Sequence, residues 1–148
     1  MVDDAGCRMR RAAMTLPELL LVLAMIGTLL ALAVPPAAAS ADRAAVRAAA
    51  RDIEALFVEA RAEALARGAG AWVRFDSVAG MVRLRVPGTG TRTRAVGSLY
   101  GVAFSSSRDS MSYDGRGLGH GGANLTVVVV RGRARETLVV SRLGRVRR

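Results

Sequence analysis

Residues 13–41 read AMTLPELLLVLAMIGTLLALAVPPAAASA, a long apolar run with a single carboxylate, Glu18, near its start. From Leu19 onward the chain carries no charge until Asp42. A helix needs about 20 predominantly apolar residues to cross a hydrocarbon core, so this run is long enough to span one. An unpaired charge in lipid costs about 2.5–3.5 kcal/mol on insertion scales. A plain anchor has no use for Glu18, and a carboxylate at that depth asks for a cationic partner.

Arg8, Arg10 and Arg11 precede the run. The positive-inside bias keeps such a flank cytoplasmic. Then come Ala13, Met14, Thr15, Leu16, Pro17, Glu18 and Leu19. Basic leader, small residue, apolar residue and Thr-Leu-x-Glu-Leu together resemble the prepilin signal of type IV pilins and type II secretion pseudopilins. The resemblance implies that a prepilin peptidase cuts between Ala13 and Met14 and methylates the new amine of Met14. Residues 1–13 would then be a cleaved leader, 14–39 a transmembrane and filament-core helix, and 40–148 a periplasmic globular domain. The family usually has Gly before the cut and often Phe after it, where this chain has Ala13 and Met14.

The resemblance also supplies a partner for Glu18. Cleavage leaves a cationic amine on Met14, and in the family the glutamate meets that amine on a neighbouring subunit during assembly. Opposite charges in a low-dielectric bundle attract strongly and relieve each other's desolvation. Thr15, Leu16, Glu18 and Leu19 are accordingly the candidate assembly residues, with Leu20, Val22, Leu23, Ile26 and Leu30 as further apolar contacts. Two other readings stay open. Glu18 could simply favour the positive end of its own helix dipole. The segment could instead be a secretory signal peptide cut between Ala39 and Ser40, although signal peptides avoid acid at the start of the apolar region.

The 148 residues allow one membrane helix and a domain of about 80 residues. The single cysteine, Cys7, lies in the leader, and His120 is the lone histidine, so neither a disulfide framework nor a metal site is expected. No cofactor is implied. All 22 basic residues are arginine; with the Ala and Gly richness, that points to a GC-rich genome as much as to function. Location is more informative. After Tyr113 stand Arg116, Arg131, Arg133, Arg135, Arg142, Arg145, Arg147 and Arg148, against only Asp114 and Glu136, a concentration able to act as a local field. Ser105-Ser106-Ser107 and His120 lie in Gly/Ser-rich sequence without a nucleophile-elbow pattern, and no phosphate-binding Gly-Lys-Ser/Thr loop occurs. The chain is not expected to be an enzyme.

Pro35-Pro36 predicts a bend or melted stretch over residues 34–37, with the helix resuming by Ser40. From 40 to 67 the apolar positions Val46, Ala49, Ile53, Leu56, Phe57, Ala60 and Ala64 recur at spacings of three and four, the mark of an amphipathic helix with one core-facing stripe. Glu63 and Arg67 are placed for an i,i+4 pair, and Gly68 and Gly70 stop the helix. Residues 71–148 form the β region. Strands are predicted over 72–76 and 81–86 with a connection at 76–80, then a turn at 87–90. One or two short strands are expected over 93–104 around Gly97 and Gly101, loop over 105–110, a brief strand at 111–113 and a Gly-rich span over 115–122. The runs 125–130 and 137–141 form a final hairpin joined through Arg131-Gly132-Arg133-Ala134.

One helix followed by an antiparallel sheet is an α+β order. Ser98-Leu99-Tyr100-Gly101-Val102, Tyr113-Asp114-Gly115-Arg116-Gly117 and the closing Val140-Ser141-Arg142-Leu143-Gly144-Arg145-Val146-Arg147 resemble the GspH/FimT subfamily of minor pilins and pseudopilins. The resemblance implies a pilin-like fold and a minor structural subunit of a type II secretion pseudopilus or related type IV pilus, anchored once in the inner membrane. Its partners would be other pilin or pseudopilin subunits and the prepilin peptidase. A second implication is DNA capture, because in FimT-like pilins the Gly-Arg-x-Arg motif, here Gly144 to Arg147, is associated with DNA uptake. Guanidinium groups fork onto phosphate oxygens, which makes Arg131, Arg133, Arg142, Arg145, Arg147 and Arg148 the candidate nucleic-acid residues.

Overall fold

Helix α1 (Leu16–Arg67) starts immediately after Thr15 and runs for 52 residues. The computed structural model describes residues 15–120 and 124–148; the leader, Ala13 and Met14 lie outside the described residues, as does the end of the Gly-rich span. The melted stretch expected at Pro35-Pro36 does not occur, since α1 is helical throughout. Each proline withholds one bond from the carbonyl four residues back. Two missing bonds do not outweigh the intact turns on either side.

The chain divides into two compact units, Met1–Ala37 and Ala38–Arg148. In the first, the described residues form the opening part of α1, and its leucines, with Met25 and Ile26, are exposed. Beyond Glu18, Thr28 is a polar residue there, and its hydroxyl donates to the Met25 carbonyl at 2.8 Å, so the helix satisfies it internally.

The second unit holds the core. The predicted stripe Val46, Ala49, Ile53, Leu56, Phe57, Ala60 and Ala64 is buried, with Ala50 beside it. Gly68 ends α1 with φ +60°. Two antiparallel sheets follow. The first comprises β1 (Ala71–Asp76), β2 (Met81–Val86), β3 (Gly90–Arg94), β5 (Ser110–Tyr113) and β6 (Gly119–His120), in the order β3-β2-β1-β5-β6. The second comprises β4 (Ala103–Ser106), β7 (Leu125–Arg131), β8 (Ala134–Val140) and β9 (Val146–Arg147), in the order β4-β7-β8-β9. Period-two alternation aims Ala71, Val73, Phe75, Val82, Leu84 and Val86 into the core from the first sheet, and Leu125, Val127, Val129, Leu138 and Val140 from the second. Phe75 ties the layers together. Its ring lies 5.8 Å from Phe57 on α1 and 6.2 Å, edge-on, from Phe104 on β4, separations at which aromatic pairs attract.

Strand expectations for 93–104 need correction. Two short strands do reach that range, but only at its ends, β3 up to Arg94 and β4 from Ala103. Between them Gly97 falls in a short helix, α2 (Val96–Tyr100), closed by Gly101 at φ 60°. The expected loop 105–110 is strand at Ser105, Ser106 and Ser110. The final hairpin turns through Gly132 and Arg133 alone, because Arg131 pairs with Ala134 across it. The chain's end also forms a strand not foreseen, β9, on the free edge of β8.

Candidate functional site

Two groups of predicted residues occupy different units. In the first, Thr15 precedes the opening residue of α1, and its N–H donates to Oε2 of Glu18 at 3.4 Å. This is the reach-back arm of a capping box, Thr-x-x-Glu. At 3.4 Å the bond is long for an N–H···O contact, so the carboxylate is only loosely held. Glu18 also sits in the first turn, where the helix dipole favours an anion. Leu16 is 73% exposed and Leu19 50%, and among the described residues nothing covers them. By length and composition α1 qualifies as a membrane span. Ala13 and Met14 lie outside the described residues.

The second group is the C-terminal arginines, which the structure sorts in two. Nε of Arg131 lies 3.0 Å from Oδ1 of Asp42, and its Nη1 donates to the Tyr100 carbonyl at 2.7 Å. Nη2 of Arg148 lies 2.7 Å from Oε2 of Glu54. These two brace β7 and the chain's end against α1. Arg133, Arg142, Arg145 and Arg147 are exposed and make no ion pair among the described residues.

The local fold explains how the Gly-Arg-x-Arg residues are displayed. Gly144 has φ +73°. Its N–H donates to the Ser141 carbonyl at 2.9 Å, and the Ser141 N–H donates to the Arg145 carbonyl at 2.9 Å. That tight reversal lays β9 along β8, pairing Val146 with Val140 and Arg147 with Val139. A Cβ on residue 144 would come within 2.9 Å of Arg61 Cδ and 3.1 Å of the Tyr113 ring, so glycine is needed both for its φ and for space. With Val146 half-buried between them, Arg145 and Arg147 share the opposite, outer side of the strand.

Beneath this turn lies a rigid seat. Arg61 Nε donates to the Gly117 carbonyl at 3.1 Å. Oδ1 of Asp114 accepts the N–H groups of Leu118 at 2.8 Å and Arg116 at 2.9 Å. The Leu118 bond, aided by that from Arg116 and by nearby cations, holds the Asp114 carboxyl below the usual carboxylate range. Burial pushes the Tyr113 phenol up to about 12, against the pull of Arg61. His120 pairs with Ser112 across β5 and β6, whereas Ser105 and Ser106 stand on β4 of the other sheet.

Sequence reasoning gave Trp72 no role beyond its strand. It is 43% exposed on the outer face of the first sheet, in a groove of about 860 Å³ shared with Arg74, Arg83 and Arg85.

No family model matches the chain, and no curated protein is significantly similar to it in sequence. Solved structures do match. Two crystal forms of the type IV minor pilin FimU of Pseudomonas aeruginosa strain PAO1, in space groups P21 and P65, superpose with TM-scores of 0.58 and 0.56 at 14% identity. They cover 69% and 68% of this chain and 86% and 90% of theirs. At that identity the likeness is one of architecture: the chain has the α+β fold of a type IV pilin, a long N-terminal helix with antiparallel sheets built on its later turns.

Proposed function

We propose that the chain is a minor, pilin-like structural subunit, held in the inner membrane by the first part of α1, with residues 40–148 on the periplasmic side, and drawn from there into a pseudopilus or type IV pilus. One observation carries this reading: the leucines of the first unit, with Met25 and Ile26, are 48% to 76% exposed on a helix that begins with a loosely capped carboxylate. Apolar surface of that extent marks a membrane or protein interface. Cleavage between Ala13 and Met14 by a prepilin peptidase, with N-methylation, would supply the cation that Glu18 meets on a neighbouring subunit. Little local bonding is lost when Glu18 turns to that partner. The test is Glu18→Gln, scored by the amount of the chain in sheared filaments or in cross-linked subunit pairs. Loss of incorporation with unchanged membrane levels is expected; unchanged incorporation contradicts the assembly role.

A second reading, DNA capture for uptake, draws support from the common outward side of Arg145 and Arg147, with Arg142 and Arg133 also exposed. Phosphate contacts by such groups release counterions and are strongly salt-dependent. The full chain in detergent should retard duplex DNA at low salt and lose that on Arg145→Ala plus Arg147→Ala. Retardation insensitive to salt, or unaffected by the double substitution, contradicts it.

A further inference from the structure

Arg43 and Arg47 on α1 and Arg133 and Arg135 at the β7–β8 hairpin line one small concavity of about 290 Å³, floored by Val46. All four are exposed, and none makes an ion pair among the described residues. Glu136, half-buried, lines the same concavity. The arrangement is built rather than incidental. Arg131 locks the hairpin to Asp42, and Gly132, at φ +55°, lies so close that a Cβ there would strike the same carboxylate. One turn of helix separates Arg43 from Arg47; Arg133 stands in the hairpin turn and Arg135 on β8 just after it. The fold thus spends Asp42 on the hairpin's anchor and leaves four arginines against one carboxylate, Glu136, round the hollow. Such like charges repel unless an anion joins them.

Position identifies the anion. Arg43 is the first residue after the apolar run of α1 whose charge makes no ion pair among the described residues, since Asp42 is held by Arg131. A cation at that point lies at headgroup level if the run spans a bilayer. We propose that this four-arginine hollow docks the domain on anionic phospholipid headgroups at the membrane surface from which α1 emerges, parking the subunit before assembly. The proposal rests on the membrane-anchor reading above, but not on DNA capture. Guanidinium suits the task because its planar fork matches phosphate oxygens. The attraction is short-ranged, falling off within a Debye length.

The test is hydrogen exchange, read by mass spectrometry, on the full chain in lipid nanodiscs of phosphatidylcholine alone or with phosphatidylglycerol. Peptides covering 42–51 and 131–136 should exchange roughly fivefold more slowly in the anionic discs, while those covering the 87–90 turn stay unchanged. The protection should vanish in about 1 M salt, where the Debye length is about 3 Å, and on Arg133→Gln plus Arg135→Gln. It should survive Arg145→Ala plus Arg147→Ala. Equal exchange in both discs overturns the docking while leaving the anchor intact. A chain that enters neither disc overturns the anchor and the docking together. Equal protection by inorganic phosphate in the zwitterionic discs overturns the assignment to lipid.

Discussion

Between Leu16 and Leu32 the leucines of α1, with Met25 and Ile26, are 48% to 76% exposed; between Val46 and Ala64 the inner stripe is exposed by 1% or less. Both stretches are regular helix, so helix formation alone does not distinguish them. What differs is where the apolar surface lies. The first stretch is apolar on every side, which leaves no polar face for solvent and suits lipid or a ring of neighbouring helices. The second confines its apolar atoms to one stripe and sets Arg43, Arg47, Arg51, Glu54 and Arg67 around it. The second stretch is completed by its own chain, whereas the first needs partners from outside it.

The largest expected effects fall on the internally completed half. Phe57→Ala removes a buried ring tilted against Phe75 and should lower unfolding free energy by about 3–5 kcal/mol, read by chemical denaturation of the full chain in detergent. Leu23→Ala should change it by less than ~0.5 kcal/mol. Equal losses would break the contrast between the halves. Next come the glycines. Gly115→Ala would drive a Cβ into the Gly68 backbone, and Gly144→Ala would strain a positive φ against Arg61; each should cost about 1–3 kcal/mol. Gly27, with open space around it, should accept alanine and gain up to ~1 kcal/mol of helix stability.

Smaller effects separate the arginines. Arg131→Ala loses a partly exposed ion pair and a charged hydrogen bond, about 1 kcal/mol, while Arg145→Ala should leave denaturation unchanged. Smallest of all at neutral pH is Tyr113→Phe. The Tyr113 hydroxyl is buried without a hydrogen-bond partner among the described residues, so its removal should be neutral or slightly stabilising. The phenol's pKa is raised from 10.0 to about 12 on folding. Stability from keeping it neutral is fully present below pH 10 and lost as pH climbs towards 12. The decline in denaturation midpoint across that window should be shallower in Tyr113→Phe; an identical decline contradicts a buried, neutral phenol.

Long, periodic elements were readable because their pattern repeats. The stripe from Val46 to Ala64, the strands β1 and β2 and the hairpin of β7 and β8 each carry several matched positions, and the Glu63–Arg67 pair forms at 2.9 Å as the spacing predicts. Short elements were not readable. Helix α2 has five residues, a glycine within it and no side-chain cap, so nothing local announces it. Strand β9 has a single inward residue, Val146, and exists only because Gly144 turns it onto β8. The melting expected at Pro35-Pro36 failed for the opposite reason: a strong local signal was overridden by the intact helix on both sides. At the candidate sites, Glu18 was legible as a charge out of place. The sorting of the arginines was not, because Asp42 and Glu54, which claim Arg131 and Arg148, are distant in sequence.

The claim that the exposed half of α1 is kept for assembly meets its most direct test at the N-terminus of the mature protein, sequenced from membranes of the cell that makes it. A chain beginning at methylated Met14 retains the helix and the cation that Glu18 requires, and this is the result the account predicts. A chain beginning at Ser40 has discarded both and contradicts it.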